Sequence, residues 1–288
     1  MGNALVRNRS RTRRQQARQS LARLLAGKGS FDLVEAALWV AFEEYDDLDV
    51  DREAGRLRLL AAEGAHRVAG MQNPFARLDG LQRYFADDLG FHGNADDYDD
   101  PRNSYLNEVL DRRVGIPLTL SLVFMELARA AGFETVGVGL PGHFVARVTY
   151  DGREILVDPY HGGQVISEED CRQLVRRCTG RSSLFRRELL RGASEWAMLR
   201  RLLLNLKHTH VSRNDYARAL SVVERLILLQ PADSKEIRDM GFLKAHLGRP
   251  GAAIADLETY LSLDPGAPDR ESVQGRLVWL RRKLSETN

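Results

Sequence analysis

Two residues in the run LPGHFVARVTYDGREILVDPYHGG, from Leu140 to Gly163, are of types that cooperate in acyl transfer: His143 and Asp158. An imidazole can take a proton from a nucleophile and hand it to a leaving group. A carboxylate on the other ring nitrogen fixes the tautomer and holds the ring. The third member of such a triad, a thiol or hydroxyl nucleophile, has to come from elsewhere in the chain.

The pair depends on a hairpin. HFVARVTY and REILVDPY are rich in β-branched and aromatic residues, and Asp151-Gly152 between them is the strongest short-range signal for a two-residue turn. That turn predicts Tyr150 opposite Arg153 and Val145 opposite Asp158. Side chains alternate along a strand, so His143 shares the face of Val145 and becomes the diagonal neighbour of Asp158, about 7–8 Å away between backbones. The opposite face reads Phe144, Ala146, Val148, Ile155 and Val157, which is core. The competing reading is an unrelated surface histidine and a turn aspartate before Pro159.

The elements upstream complete the scaffold. PLTLSLVFMELARAAG, Pro117 to Gly132, has Pro at the first helical position and Gly just past the end, with apolar residues on almost every side. It predicts a buried central helix. ETVGVGL is the next strand, and a buried helix followed by antiparallel strands argues an α+β domain. Ahead of it, FDLVEAALWVAFEEY (capped by Ser30 or Asp32), REAGRLRLLAAEGAHRVAG and FARLDGLQRYFADDLG read as helices, the last ending at Gly90. The acidic cluster Asp96, Asp97, Asp99 and Asp100 lacks the spacing of a calcium loop and reads as an exposed loop.

Among 288 residues, 43% are hydrophobic, enough for packed cores in two domains. The two cysteines, Cys171 and Cys178, suggest neither a disulfide framework nor a metal knuckle, which fits a reducing cytoplasm. Both read as core or half-exposed thiols with no feature bringing them to the His–Asp pair. No apolar run approaches the roughly 20 residues of a membrane helix, and no metal or cofactor is expected. Residues 1–29 hold the basic residues Arg7, Arg9, Arg11, Arg13, Arg14, Arg18, Arg23 and Lys28 and no acid. This segment reads as a disordered, solvated arm. Contact with nucleic acid is the weaker reading and would run only through residues 1–28, because no aromatic is interleaved with the arginines.

Strand signals stop near residue 185, and the C-terminal part repeats. DYARALSVVERLILLQP and RPGAAIADLETYLSLDP align with Ala219 against Ala253 and Pro231 against Pro265, both at the 34-residue period of the tetratricopeptide repeat, TPR. Leu203, Leu206 and Ala219 fall on signature positions of the first unit; Ile237, Met240, Gly241 and Ala253 do so in the second. Lys207 stands where the first unit should have Gly. RESVQGRLVWLRRKL then caps the array. Helical spacing puts Arg201, Asn205, His208 and Ser212 on one stripe, and Lys235, Arg238, Asp239, Phe242 and His246 on the next. Such a mildly basic groove suits an acidic or carboxylate-ended peptide.

LGFHGNADDYDDPRNSYLNEVLDRRVGIPLTLSLVFMELARAAGFETVGVGLPGHFVARV, then ILVDPYHGG, then repeats carrying RDMGFLKAHLG, closely resemble the bacterial SirB-type family, over about residues 30–288. The resemblance implies a transglutaminase-like (papain-like) α+β domain with N-terminal helices, residues 30–190, followed by an all-α TPR domain, residues 195–288. The family label, regulator of SirC expression, implies a regulatory role. The wider superfamily uses a Cys-His-Asp triad, and the resemblance puts its histidine at His143 and its aspartate at Asp158. With Gly115 and Gly132 matching the two glycines around the central helix, the cysteine position is Pro117. Two functions are therefore in view. One is a non-enzymatic regulator or scaffold that binds protein partners through the repeats and a degenerate cleft. The other is a peptidase- or amidase-like acyl-transfer enzyme in which Ser121 serves as nucleophile with His143 and Asp158; Thr119 is the other hydroxyl near the start of that helix.

Overall fold

The computed structural model describes residues 2–27 and 29–286; the side chains of residues 1–11 lie outside the described ones. The chain divides into two compact units, Met1–Leu202 and Leu203–Asn288.

In the first unit α1 (Gly2–Leu25) precedes α2 (Leu33–Phe42), α3 (Val50–Val68) and α4 (Pro74–Arg83). The basic segment read as a disordered arm is thus corrected to a helix. Its Ala17 and Leu21, one turn apart and each 1% exposed, supply an apolar contact stripe. Its arginines have partners on the chain: the Arg13 guanidinium lies 3.7 Å over the Phe42 ring and donates to the Phe42 carbonyl at 2.6 Å and to that of Tyr45. Arg14 and Arg18 face the buried Glu43 at 3.4 and 3.7 Å. Carbonyls at a helix C-terminus lack intrahelical donors, and cations near that end interact favourably with them. Arg7, Arg9 and Arg11, on which the nucleic-acid reading also leaned, lie outside the described side chains.

Asp32, not Ser30, caps α2, accepting from the Glu35 amide at 3.1 Å. After α4 a π-helical turn, Tyr84–Asp88, runs to Gly90 at φ 73°. Then follow β1 (His92–Gly93), a 3₁₀ turn (Pro101–Asn103), α5 (Leu106–Arg112), β2 (Val114–Gly115) and α6 (Pro117–Ala130). β1 and β2 form a short parallel pair. The acidic loop between β1 and α5 is tied down at Asp100, which pairs with Arg102 and Arg112.

The main sheet is antiparallel in the order β3 (Glu134–Leu140), β4 (His143–Tyr150), β5 (Arg153–Asp158), β6 (Gln164–Ile166). The predicted register holds: Tyr150 pairs with Arg153, and the ladder runs to Ala146 opposite Val157. Asp151 and Gly152 adopt φ 49° and 72°, the left-handed conformations a type I′ turn requires. At the other end of β4, Leu140 pairs with His143 across Pro141-Gly142, with Gly142 at φ 76°. β6, three residues long, carries too little pattern to be read from sequence.

Both faces of this sheet are covered. α6, buried from Pro117 to Met125 and again at Leu127 and Ala128, packs on β3 and β4. On the Val145 face, Val138, Leu140 and Val145 cluster with Cys171, Leu174 and Val175 of α7 (Glu168–Thr179) and with Phe185. The His143 side of the hairpin is therefore packed beneath a helix.

The division between the units falls inside α8 (Glu195–Ser212). The second unit continues with α9 (Tyr216–Leu229), α10 (Ser234–His246), α11 (Pro250–Leu263) and α12 (Arg270–Ser285). α10 packs on α9 and α11, and α12 packs on α11. The repeat positions are the close contacts: Ala219 and Ala253 are 0% exposed. A Cβ on Gly241 would lie 2.8 Å from Leu257 Cγ and 3.2 Å from the Ala253 carbonyl oxygen, so only Gly lets α10 and α11 approach this closely. Val273, Leu277 and Leu280 of α12 close the apolar cluster, the work of a capping helix.

Candidate functional site

β4 begins at His143 and β5 ends at Asp158, just beyond the Ala146–Val157 pair that closes their ladder, so this end of the hairpin brings the two side chains together. His143 Nε2 donates to Asp158 Oδ2 at 2.9 Å, with 4% and 2% of the side chains exposed. The chain then enters a 3₁₀ turn, Pro159–His161, capped by Asp158 itself: its Oδ1 accepts the Tyr160 amide at 3.1 Å. In a 3₁₀ turn residues i and i+3 lie over one another. That aligns His161 with Asp158, and its Nδ1 donates to the same Oδ2 at 2.8 Å. His161 was missed in the sequence; the signal was the Asp-x-x-His spacing in DPYHGG, which gains meaning only in a 3₁₀ conformation. Burial pushes the Asp158 carboxyl up, but the hydrogen bonds and charges of His143 and His161 outweigh it and hold the carboxyl below its usual range.

Aromatic rings wall the cluster. Tyr160 stands edge-on to His143 at 5.7 Å and to His161 at 5.1 Å. Its ring rests on the Gly93 backbone, where an added Cβ would come within 2.4 Å. α6 packs against the 3₁₀ turn as well as against β4.

The start of α6 is structural. Thr119 Oγ1 accepts from the Ile116 amide at 3.2 Å and donates to the Asn103 carbonyl at 2.8 Å. Gly115 makes room for it, since a Cβ there would sit 2.7 Å from Thr119 Oγ1. Pro117 is buried as the first helical residue. Ser121 is 0% exposed, and its Oγ has no hydrogen-bond partner among the described residues.

The cysteines divide. Cys171 lies in the core beneath the sheet, and burial pushes its thiol up to about 12. Cys178 is exposed, and contrary to the sequence reading it lies beside the β3–β4 turn: a Cβ on Gly142 would fall 2.6 Å from Cys178 Cβ. Burial raises its thiol, outweighing the lowering by Arg177, with a smaller upward push from Asp158, the reverse of an activated nucleophile.

The predicted groove stripe is not brought together as one set. Arg201 belongs to the first unit and donates to the carbonyls of Leu140 and His143 at 2.8 and 2.6 Å. Arg238 is engaged by Asp239 and Asp269 at 2.9 and 2.8 Å. Phe242 packs into the apolar cluster, and His246 stacks on Tyr216 with ring centroids 4.5 Å apart. Asn205 is half-buried, whereas His208, Ser212 and Lys235 are exposed.

A buried α6, an antiparallel sheet whose strand ends hold a His–Asp pair, and a 34-residue helical repeat define a transglutaminase-like domain followed by TPR units. Comparison with known proteins agrees: the family model for the transglutaminase-like superfamily matches residues 52–204, and a tetratricopeptide-repeat model matches residues 206–277. The chain belongs to the transglutaminase-like superfamily and, within it, to the UPF0162 family, into which the SirB-type resemblance fits. It is 34% identical to a UPF0162 protein of Pseudomonas aeruginosa, over 85% of this chain and 89% of the relative. A Xylella fastidiosa UPF0162 protein is 33% identical over 89% and 92%, and UPF0162 protein YchA of Escherichia coli is 26% identical over 81% and 86%. No solved structure matches the chain. Among the described residues no helix is long and apolar enough to cross a membrane.

Proposed function

We propose that this protein is a non-catalytic regulatory or scaffold protein of the bacterial cytoplasm. It binds a protein or peptide partner through its repeats and uses the His143–Asp158 cleft for recognition rather than turnover. One observation carries the reading: Ser121, the replacement nucleophile, is 0% exposed and its Oγ has no hydrogen-bond partner among the described residues, while the family resemblance puts Pro117, which has no nucleophilic atom, at the nucleophile position. A serine nucleophile needs substrate access and a base within about 3.2 Å; Ser121 has the first denied by burial and makes no hydrogen bond that would supply the second. The purified protein is therefore expected to lack peptidase, amidase and transamidation activity. Turnover that disappears in Ser121→Ala would overturn this reading. In Pro117→Cys, a thiol alkylated much faster than a free cysteine near neutral pH is the expected sign that His143 faces the old nucleophile position, because an imidazolium lowers a thiol pKa.

The TPR units supply the partner-binding surface. With Arg201 and Arg238 engaged internally, preference for an acidic or carboxylate-ended peptide rests on Lys235 and His208, both exposed. Lys235→Glu is expected to weaken retention of such a peptide at least several-fold in a direct binding assay; unchanged affinity would remove the acidic-partner reading and leave the scaffold reading in place.

A further inference from the structure

We propose that His143, Asp158 and His161 form a binding site for a divalent transition ion of the Zn²⁺ class. His143 Nε2, a carboxylate oxygen of Asp158 and His161 Nδ1 all lie within 4.8 Å of one another. Among the described residues this is the one group of three such side chains so disposed. Two imidazoles and a carboxylate are a donor set that borderline ions favour.

The cluster has the build of a site. Ligand atoms 2.0–2.2 Å from a tetrahedral ion are about 3.3 Å apart. The two ring nitrogens stand 2.9 and 2.8 Å from Asp158 Oδ2 and the three ligand atoms lie within 4.8 Å of one another, so taking an ion means that the rings rotate from hydrogen-bond to coordination spacing. Both nitrogens now share one carboxylate oxygen as donors; an ion replaces those two protons and takes both lone pairs. Metal-bound carboxylates are held by further hydrogen bonds, and Asp158 Oδ1 already accepts the Tyr160 amide at 3.1 Å. His143 and Asp158 are buried, while His161 is 48% exposed, so one side of the cluster reaches solvent. Three protein ligands with a solvent side leave a coordination position for water or for a side chain offered by a partner. The site is independent of any nucleophile at Pro117 or Ser121, and its test does not depend on turnover.

The test uses the full-length chain without a histidine tag, stripped with chelator and dialysed. Calorimetric titration with ZnCl₂ is expected to show one equivalent bound, and CoCl₂ the visible d–d bands of a four- or five-coordinate ion. His161→Ala, at a position exposed enough to leave folding intact, is expected to weaken Zn²⁺ at least tenfold and abolish the Co²⁺ bands. His143→Gln is expected to do the same, and His92→Ala, at an exposed histidine outside the cluster, to change neither. Absence of stoichiometric binding, or Zn²⁺ binding unchanged by His161→Ala, would overturn the proposal and show the cluster to be hydrogen-bonded only.

Discussion

Replacing Lys207 by Met is expected to destabilise the repeat unit by about 3–5 kcal/mol in urea unfolding, the range for removing one partner of a buried ion pair. Lys207 occupies a position where the repeat pattern has Gly, and the structure gives the reason for the departure. Its ammonium reaches α10 and touches Glu236 Oε1 and Oε2 at 2.9 and 2.8 Å and Asp239 Oδ2 at 3.0 Å. The Glu236 side chain is only 4% exposed. Without the ammonium its buried carboxylate loses that ion-pair partner, a costly arrangement for a desolvated charge. The double variant Lys207→Met with Glu236→Leu is expected to recover most of the loss, since replacing a whole buried pair by apolar groups of similar volume is often neutral. A Lys207→Met protein within about 1 kcal/mol of the parent would show that water screens this pair after all.

Arg201→Ala is the second large effect, a loss of about 3 kcal/mol in the first unit, the scale of hydrogen bonds to a charged group. The guanidinium donates to two carbonyls, Leu140 and His143, and lies 5.3 Å from the centroid of the Phe144 ring. Burial lowers its pKa from the ordinary value, yet an arginine stays charged. Truncation leaves both carbonyls facing an apolar hole at the β3–β4 turn. Arg201→Lys is expected to recover only part, because an ammonium lacks the planar guanidinium that lies by the Phe144 ring. Equal stability of Arg201→Ala and parent in urea would mean that water satisfies both carbonyls.

The contrast between what the sequence disclosed and what it hid follows the range of the interactions. The β4–β5 register was legible because Asp151-Gly152 sets it within two residues and the alternation of the strands agrees with it. α6 was legible because Pro117 and Gly132 mark its ends, and the repeats because Ala219 and Ala253, Pro231 and Pro265 share one period. The docking of α1 was hidden: it depends on Glu43 and on the carbonyls of Phe42 and Tyr45, far along the chain from Arg13 and Arg14. Arg201 was assigned to a groove by helical spacing alone, which cannot reveal that two carbonyls at a distant turn lie within its reach. His161 was hidden for a local reason, since the 3.6- and 2.0-residue periods used to read helices and strands both miss a 3₁₀ turn.

The two ends of β4 differ in what they would tolerate from a protein engineer. At Asp151-Gly152 the turn is exposed and lies at the far end of the strand from His143. A peptide epitope or fluorophore tag spliced in there lengthens a loop, at a cost that grows only slowly with its length. At Pro141-Gly142 the turn begins next to His143, beside Cys178, with its flanking carbonyls held by Arg201. One extra residue there either bulges against those contacts or slides β4 by a step, turning His143 away from Asp158 and every core side chain of the strand to the wrong face. The first turn is the port for reporters; the second has to keep its length.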